Sequence, residues 1–129
     1  MKLHLVFLSF FLVLKVLVSA QHSLPPEPLL ILDRQVLKPG IEIDLPLGEK
    51  VMFDAHYLKP NSKITMEVKV SPFYTQKRQF RVDTKGNAED NYVPPDVQKE
   101  NIPVKITYVT PDNKIHVLEF KLTVSSPDE

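Results

Sequence analysis

Apolar and polar positions alternate along most of this chain, and a period of two predicts β-strands rather than helices. Val51, Phe53, Ala55 and Tyr57 share one parity, with Lys50, Asp54 and His56 on the other. Ile64, Met66, Val68 and Val70 then alternate with Lys63, Thr65, Glu67 and Lys69. Each arm buries one face and wets the other. That is the signature of an antiparallel sheet, because parallel strands covered on both faces read as continuous apolar runs. Lys59-Pro60-Asn61-Ser62 joins the arms with turn chemistry: Pro60 pre-sets φ, and Asn61 tolerates a tight turn.

The rest of the chain repeats the theme. Residues 29–33 (LLILD) form a short apolar run and a first strand, and Lys38-Pro39-Gly40 is a turn. Ile41, Ile43, Leu45 and Leu47 alternate with Glu42 and Asp44, and Pro46 places this strand at a sheet edge. After Ser71-Pro72, the stretch 76–82 turns Phe80 and Val82 inward, and a turn over 83–87 puts Gly86 at positive φ. Residues 88–101 are polar, carry Pro94-Pro95, and read as the longest irregular connection. Ile102, Val104, Ile106 and Tyr108 resume the inward set, and Pro111-Asp112-Asn113-Lys114 is a hairpin connection to Leu118, Phe120, Leu122 and Val124. Ile115 and Val117 have the opposite parity, which predicts a bulge or a change of partner near Val117. About seven short antiparallel strands result, the arrangement of an all-β sandwich or barrel.

Composition changes this picture at the N terminus. Lys2 and His4 precede an apolar run ending in Val18-Ser19-Ala20, which reads residues 1–20 as a cleaved secretory signal peptide. Residues 21–28 (QHSLPPEP) are then a proline-rich extended lead-in, 29–124 the sandwich, and 125–129 a polar tail. No further membrane span is expected after cleavage. Twelve prolines against three glycines act as strand terminators. The chain has 16 Lys+Arg and 16 Asp+Glu; without Lys2 and Lys15 the basic count is 14, a net charge of −2. Near-neutrality argues against a nucleic-acid partner. There is no cysteine, so the core must hold without disulfides, and thiol and cysteine–zinc chemistry are excluded.

The stretches GEKVMFDAHYLKPNSKITMEV, FRVDTKGNAEDNYVPPD, IPVKITYV and FKLTV resemble immunoglobulin-like and fibronectin-III-like modules of extracellular proteins, closest to those of bacterial surface proteins. The resemblance covers most of residues 29–124. It implies an Ig-like β-sandwich used for adhesion, spacing or protein binding.

Candidate chemistry is sparse. His22, His56 and His116 would need to converge to hold a metal, and His56 and His116 can meet only if their strands are neighbours. Asp83, Asp90 and Asp96 match neither a calcium loop nor a catalytic carboxylate pair. Ser62, Ser71 and Ser125 fall in turns or tail, and no glycine-rich phosphate loop is present. No enzymatic constellation, cofactor site or metal site is expected. The richest interaction segment is 72–81 (PFYTQKRQFR), which joins Phe73, Tyr74 and Phe80 to Lys77, Arg78 and Arg81. Aromatic and arginine side chains anchor protein interfaces, so Phe73, Tyr74, Lys77, Arg78 and Arg81 are the partner-binding candidates.

The leading expectation is therefore a small secreted, non-enzymatic interaction or structural module that binds a protein partner through loops or a sheet edge. The alternative is a periplasmic or extracellular carrier of copper or a small ligand. It follows from cleavage after Gln21, which would leave His22 at the mature N terminus, as in copper-binding β-sandwich proteins of the periplasm and copper-dependent polysaccharide oxygenases. Cleavage after Ala20 better fits the small-residue rule.

Overall fold

The computed structural model describes residues 26–126. The expected signal peptide, residues 21–25 of the lead-in with His22, and tail residues 127–129 lie outside them. The strands are β1 (Leu29–Leu32), β2 (Gln35–Val36), β3 (Glu42–Pro46), β4 (Val51–His56), β5 (Lys63–Ser71), β6 (Tyr74–Arg81), β7 (Ala88–Tyr92), β8 (Lys99–Val109) and β9 (Ile115–Ser125). They build a four-stranded sheet, β2-β1-β4-β7, and a five-stranded sheet, β3-β9-β8-β5-β6. No helix occurs among the described residues. The molecule is an all-β sandwich.

Alternation builds its core. Leu30, Leu32, Val51, Phe53 and Ala55 of the smaller sheet are buried, as are Ile64, Met66, Val68, Ile102, Val104, Ile106, Leu118, Phe120, Leu122 and Val124 of the larger. Phe53 and Phe80 stack with ring centroids 4.3 Å apart and planes 20° from parallel, joining the two sheets through their side chains. On the outer face of the larger sheet, Glu119, Lys105, Glu67 and Lys77 stand opposite one another across β9, β8, β5 and β6, so that charge alternates along the row.

Several expectations need correction. Nine strands replace about seven, and one pair is not antiparallel: β3 runs parallel to β9. The two arms of residues 48–70 are strands as expected but lie in different sheets, β4 pairing with β1 and β7, and β5 with β6 and β8. The switch occurs at Tyr57, whose φ of 63° breaks the alternation. Tyr57, expected inward, is thrown out to solvent and Leu58 takes the buried position. The Leu58 N–H then donates to Gly86 O at 3.0 Å and the Lys59 N–H to Val109 O at 2.9 Å, carrying the chain over the end of the core.

Residues 88–101 are not one irregular connection. They contain β7 and the start of β8. Ala88, Asp90 and Tyr92 share the inward parity, but Asp90 sits on an edge strand and meets Arg78 of β6 at 3.5 Å. An ion pair fills the position where an apolar residue would have revealed the strand. No bulge forms at Val117: β8 and β9 stay in register from Val109↔Ile115 to Ile102↔Leu122, and the shift falls between Lys99 and Ile102, where Asn101 has φ 56°. Ile115 and Val117 simply remain exposed on the outer face.

Candidate functional site

The segment 72–81 forms the tip and second strand of a tight hairpin. β5 ends at Ser71 and β6 starts at Tyr74, leaving Pro72-Phe73 as a two-residue turn, with the Phe73 N–H donating to Ser71 Oγ at 3.2 Å. Phe73 is 98% exposed and Tyr74 56% exposed. Neither ring is needed to fill the core.

The strand behind the tip is braced from one side. Residues 76, 78 and 80 have the inward parity, but β6 is the last strand of its sheet, so only Phe80 is fully covered. Gln76 Nε2 donates to Val93 O at 3.2 Å, and Tyr92 Oη donates to Gln76 Oε1 at 2.7 Å. Arg78 Nη2 donates to Asn91 O at 2.9 Å, while its guanidinium lies 4.9 Å from the centroid of Phe80. These side chains bridge the edge of the smaller sheet to the edge of the larger. Burial, with a smaller contribution from Tyr74, pushes the Tyr92 hydroxyl well above the ordinary tyrosine range, so it stays a neutral donor.

The five sequence candidates thus divide. Phe73 and Tyr74 project from the tip. Lys77 and Arg81 lie on the outer face, Lys77 3.8 Å from Glu67 and Arg81 directly opposite Lys63. Arg78 points the other way and is engaged by β7. Its inward parity separates it from its neighbours.

The remaining candidates are scattered. His56 and His116 sit on different sheets and do not meet: His56 Nδ1 is 3.1 Å from Asn87 Oδ1, and His116 stacks on Tyr108 at 5.3 Å. No cluster of three or more His, Cys, Asp or Glu positioned for a metal exists among the described residues. Ser62 Oγ donates to Lys59 O at 2.6 Å within its turn. A groove of about 850 Å³ on the outer face of the larger sheet is lined partly by Glu67, Lys105 and Glu119, which already oppose one another in the charged row.

One arrangement escaped sequence reading. Thr110 Oγ1 is 3.0 Å from His116 Nε2 and donates to Asp112 Oδ1. A nucleophile would need the imidazole to accept the hydroxyl proton, but here the Asp112 carboxylate and the Lys114 carbonyl compete for it. The trio fastens the β8–β9 hairpin. Only its spacing around Pro111 signalled it.

Two turn carboxylates make acid stability testable. Asp83 Oδ1 accepts the N–H groups of Lys85 and Asn87, each at 2.9 Å. The Asn87 bond is the main force holding its carboxyl below the usual value; the Thr110 hydroxyl does the same for Asp112. A depressed folded pKa adds stability that is fully present above the unfolded value, near pH ~4, and lost as pH falls through the folded value. Asp83→Asn should therefore lose less stability than the parent between about pH 5 and about pH 3. Urea midpoints at the two pH values check this; equal losses would show that Asp83 carries none of the acid sensitivity.

Comparison with models of protein families found none that matches the chain, and comparison with curated proteins found no match either.

Proposed function

We propose that this chain is a secreted, non-enzymatic module with an immunoglobulin-like sandwich that binds a protein partner through its β5–β6 hairpin. Phe73 carries this reading: an aromatic ring 98% exposed at a two-residue tip, beside an exposed tyrosine. Such rings supply large contact area with few rotamers to freeze, and burying them on association returns the cost of their exposure. Their support is stiff, because Gln76 and Arg78 tie the strand behind them to β7. A braced aromatic tip suits insertion into a partner's pocket.

The strand order supports the immunoglobulin-like part. One sheet carries β1, β4 and β7, the other β9, β8, β5 and β6, and the two inner faces interdigitate as in that architecture. The first twenty residues support secretion, having the charged start, apolar run and small-residue end of a signal peptide.

Immobilised parent protein and the Phe73→Ser and Tyr74→Ser variants provide the test, exposed to extract from the producing cells. At least one protein should be retained by the parent and bound at least tenfold more weakly by Phe73→Ser, the size of an interface anchor. Equal retention by all three would reject the tip as the contact.

A further inference from the structure

We propose that the free edge of β6 receives an extended, acidic strand of a partner protein, which continues the five-stranded sheet through main-chain hydrogen bonds. This rests on the protein-binding reading above and names the chemistry of the partner.

The two sheets have four edges, and three are poorly suited to such addition. β2 is two residues long. On β3, the bonds from the Lys121 N–H to Ile41 O and from the Leu47 N–H to Ser125 O show that odd-numbered residues face β9. Glu42, Asp44 and Pro46 therefore carry their backbone groups outward, and Pro46 has no N–H to offer. At β7, the carbonyls of Asn91 and of Val93, just past its end, are occupied by Arg78 and Gln76.

β6 differs. The Val82 N–H donates to Ser62 O, and carrying that phase along the register directs Phe80, Arg78 and Gln76 toward β5. Thr75, Lys77, Gln79 and Arg81 thus turn their N–H and C=O groups away from β5, and among the described residues the Gln79 carbonyl accepts from Arg78 Nη1 at 3.2 Å. The strand runs eight residues without proline. Unpaired edges of this kind accept another strand, the partner's main chain giving affinity and its alternate side chains specificity.

Charge selects the occupant. Lys77 and Arg81 lie on the outer face beside this edge, and Arg81 stands directly opposite Lys63. Like charges directly opposite are unfavourable. No ion pair among the described residues engages either Lys63 or Arg81. A second copy of β6, added antiparallel about Gln79, would set Lys77 against Arg81 twice. A strand with carboxylates at alternate positions would instead place them beside both cations. In that register the basic residues oppose self-pairing, whereas an acidic strand meets them with opposite charge.

The test uses the secreted chain and a fluorescein-labelled, N-acetylated octapeptide of alternating threonine and glutamate. Anisotropy should show binding, and hydrogen exchange should slow at the amides of Thr75, Lys77, Gln79 and Arg81. An alternating threonine–lysine peptide, and the acidic peptide N-methylated at its edge-facing amides, should each bind at least about tenfold more weakly. The double variant Lys77→Glu/Arg81→Glu should reverse the preference between the acidic and basic peptides. No binding, equal binding after N-methylation, slowed exchange elsewhere, or dimerisation along β6 would each overturn the proposal. Failure of the peptide alongside Phe73-dependent partner retention rejects the edge alone; the converse rejects the tip alone.

Discussion

Phe53→Ala is expected to remove about 3–5 kcal/mol of unfolding free energy, the cost of deleting a fully buried phenylalanine ring from a close-packed core. Phe53 has no exposed surface, and its ring stacks on Phe80, which belongs to the opposite sheet. Truncation opens a void between two sheets that no disulfide fastens together, since the chain has no cysteine. Small domains have only about 5–15 kcal/mol in total, so the variant should be marginal at room temperature. Phe53→Leu, which keeps most of the volume, should cost far less. Phe80→Ala should be similarly severe, and the double alanine variant should fall short of the sum because both changes remove one shared contact. Urea unfolding of the four variants checks this. A loss under about 1 kcal/mol for Phe53→Ala would mean that the sheets collapse freely onto the gap.

Gly86→Ala should be nearly as damaging, by another route. Gly86 has φ 85°, a conformation that costs an L-residue about 1–3 kcal/mol. A Cβ there would also lie 2.6 Å from the Leu58 carbonyl oxygen. That neighbour is backbone and cannot swing aside, and the approach is what allows the Leu58 N–H to reach Gly86 O. Relieving the clash means withdrawing Leu58 from the end of the core. We expect a loss of about 3 kcal/mol or more, read as a lowered denaturation midpoint. Gly48→Ala is the control: its φ is 78°, yet a Cβ meets nothing within 4 Å, so only the conformational cost remains. Equal losses in the two variants would show that the contact with Leu58 contributes nothing.

Much of the fold was legible because β5, β8 and β9 each bury one face cleanly. The failures have physical causes. At Tyr57 a single left-handed residue slips the phase by one, which alternation cannot anticipate. β7 was hidden because its central inward position lies at an open side and holds Asp90 against Arg78. Val117 misled because an outer face tolerates apolar residues that belong to no core. The parallel partner of β3 was unreadable, since pairing between residues 79 apart, such as Glu42 and Lys121, leaves no local trace. At the candidate site, composition singled out the segment 72–81, and Phe73 and Tyr74 in it are exposed. Placing Arg78 needed both its inward parity and the knowledge that β6 is the last strand of its sheet.

The parallel β3–β9 pair also bears on how the module would carry load. β3 precedes β9 in the chain, and the two run in the same direction from Glu42↔Lys121 to Pro46↔Ser125. Tension pulling the chain ends apart would drag β3 backward and β9 forward along their common axis. Their hydrogen bonds would then be sheared together rather than peeled one at a time, so rupture would require many bonds to fail at once. Whatever yields first in β1 and β2, this ladder would resist extension as one unit.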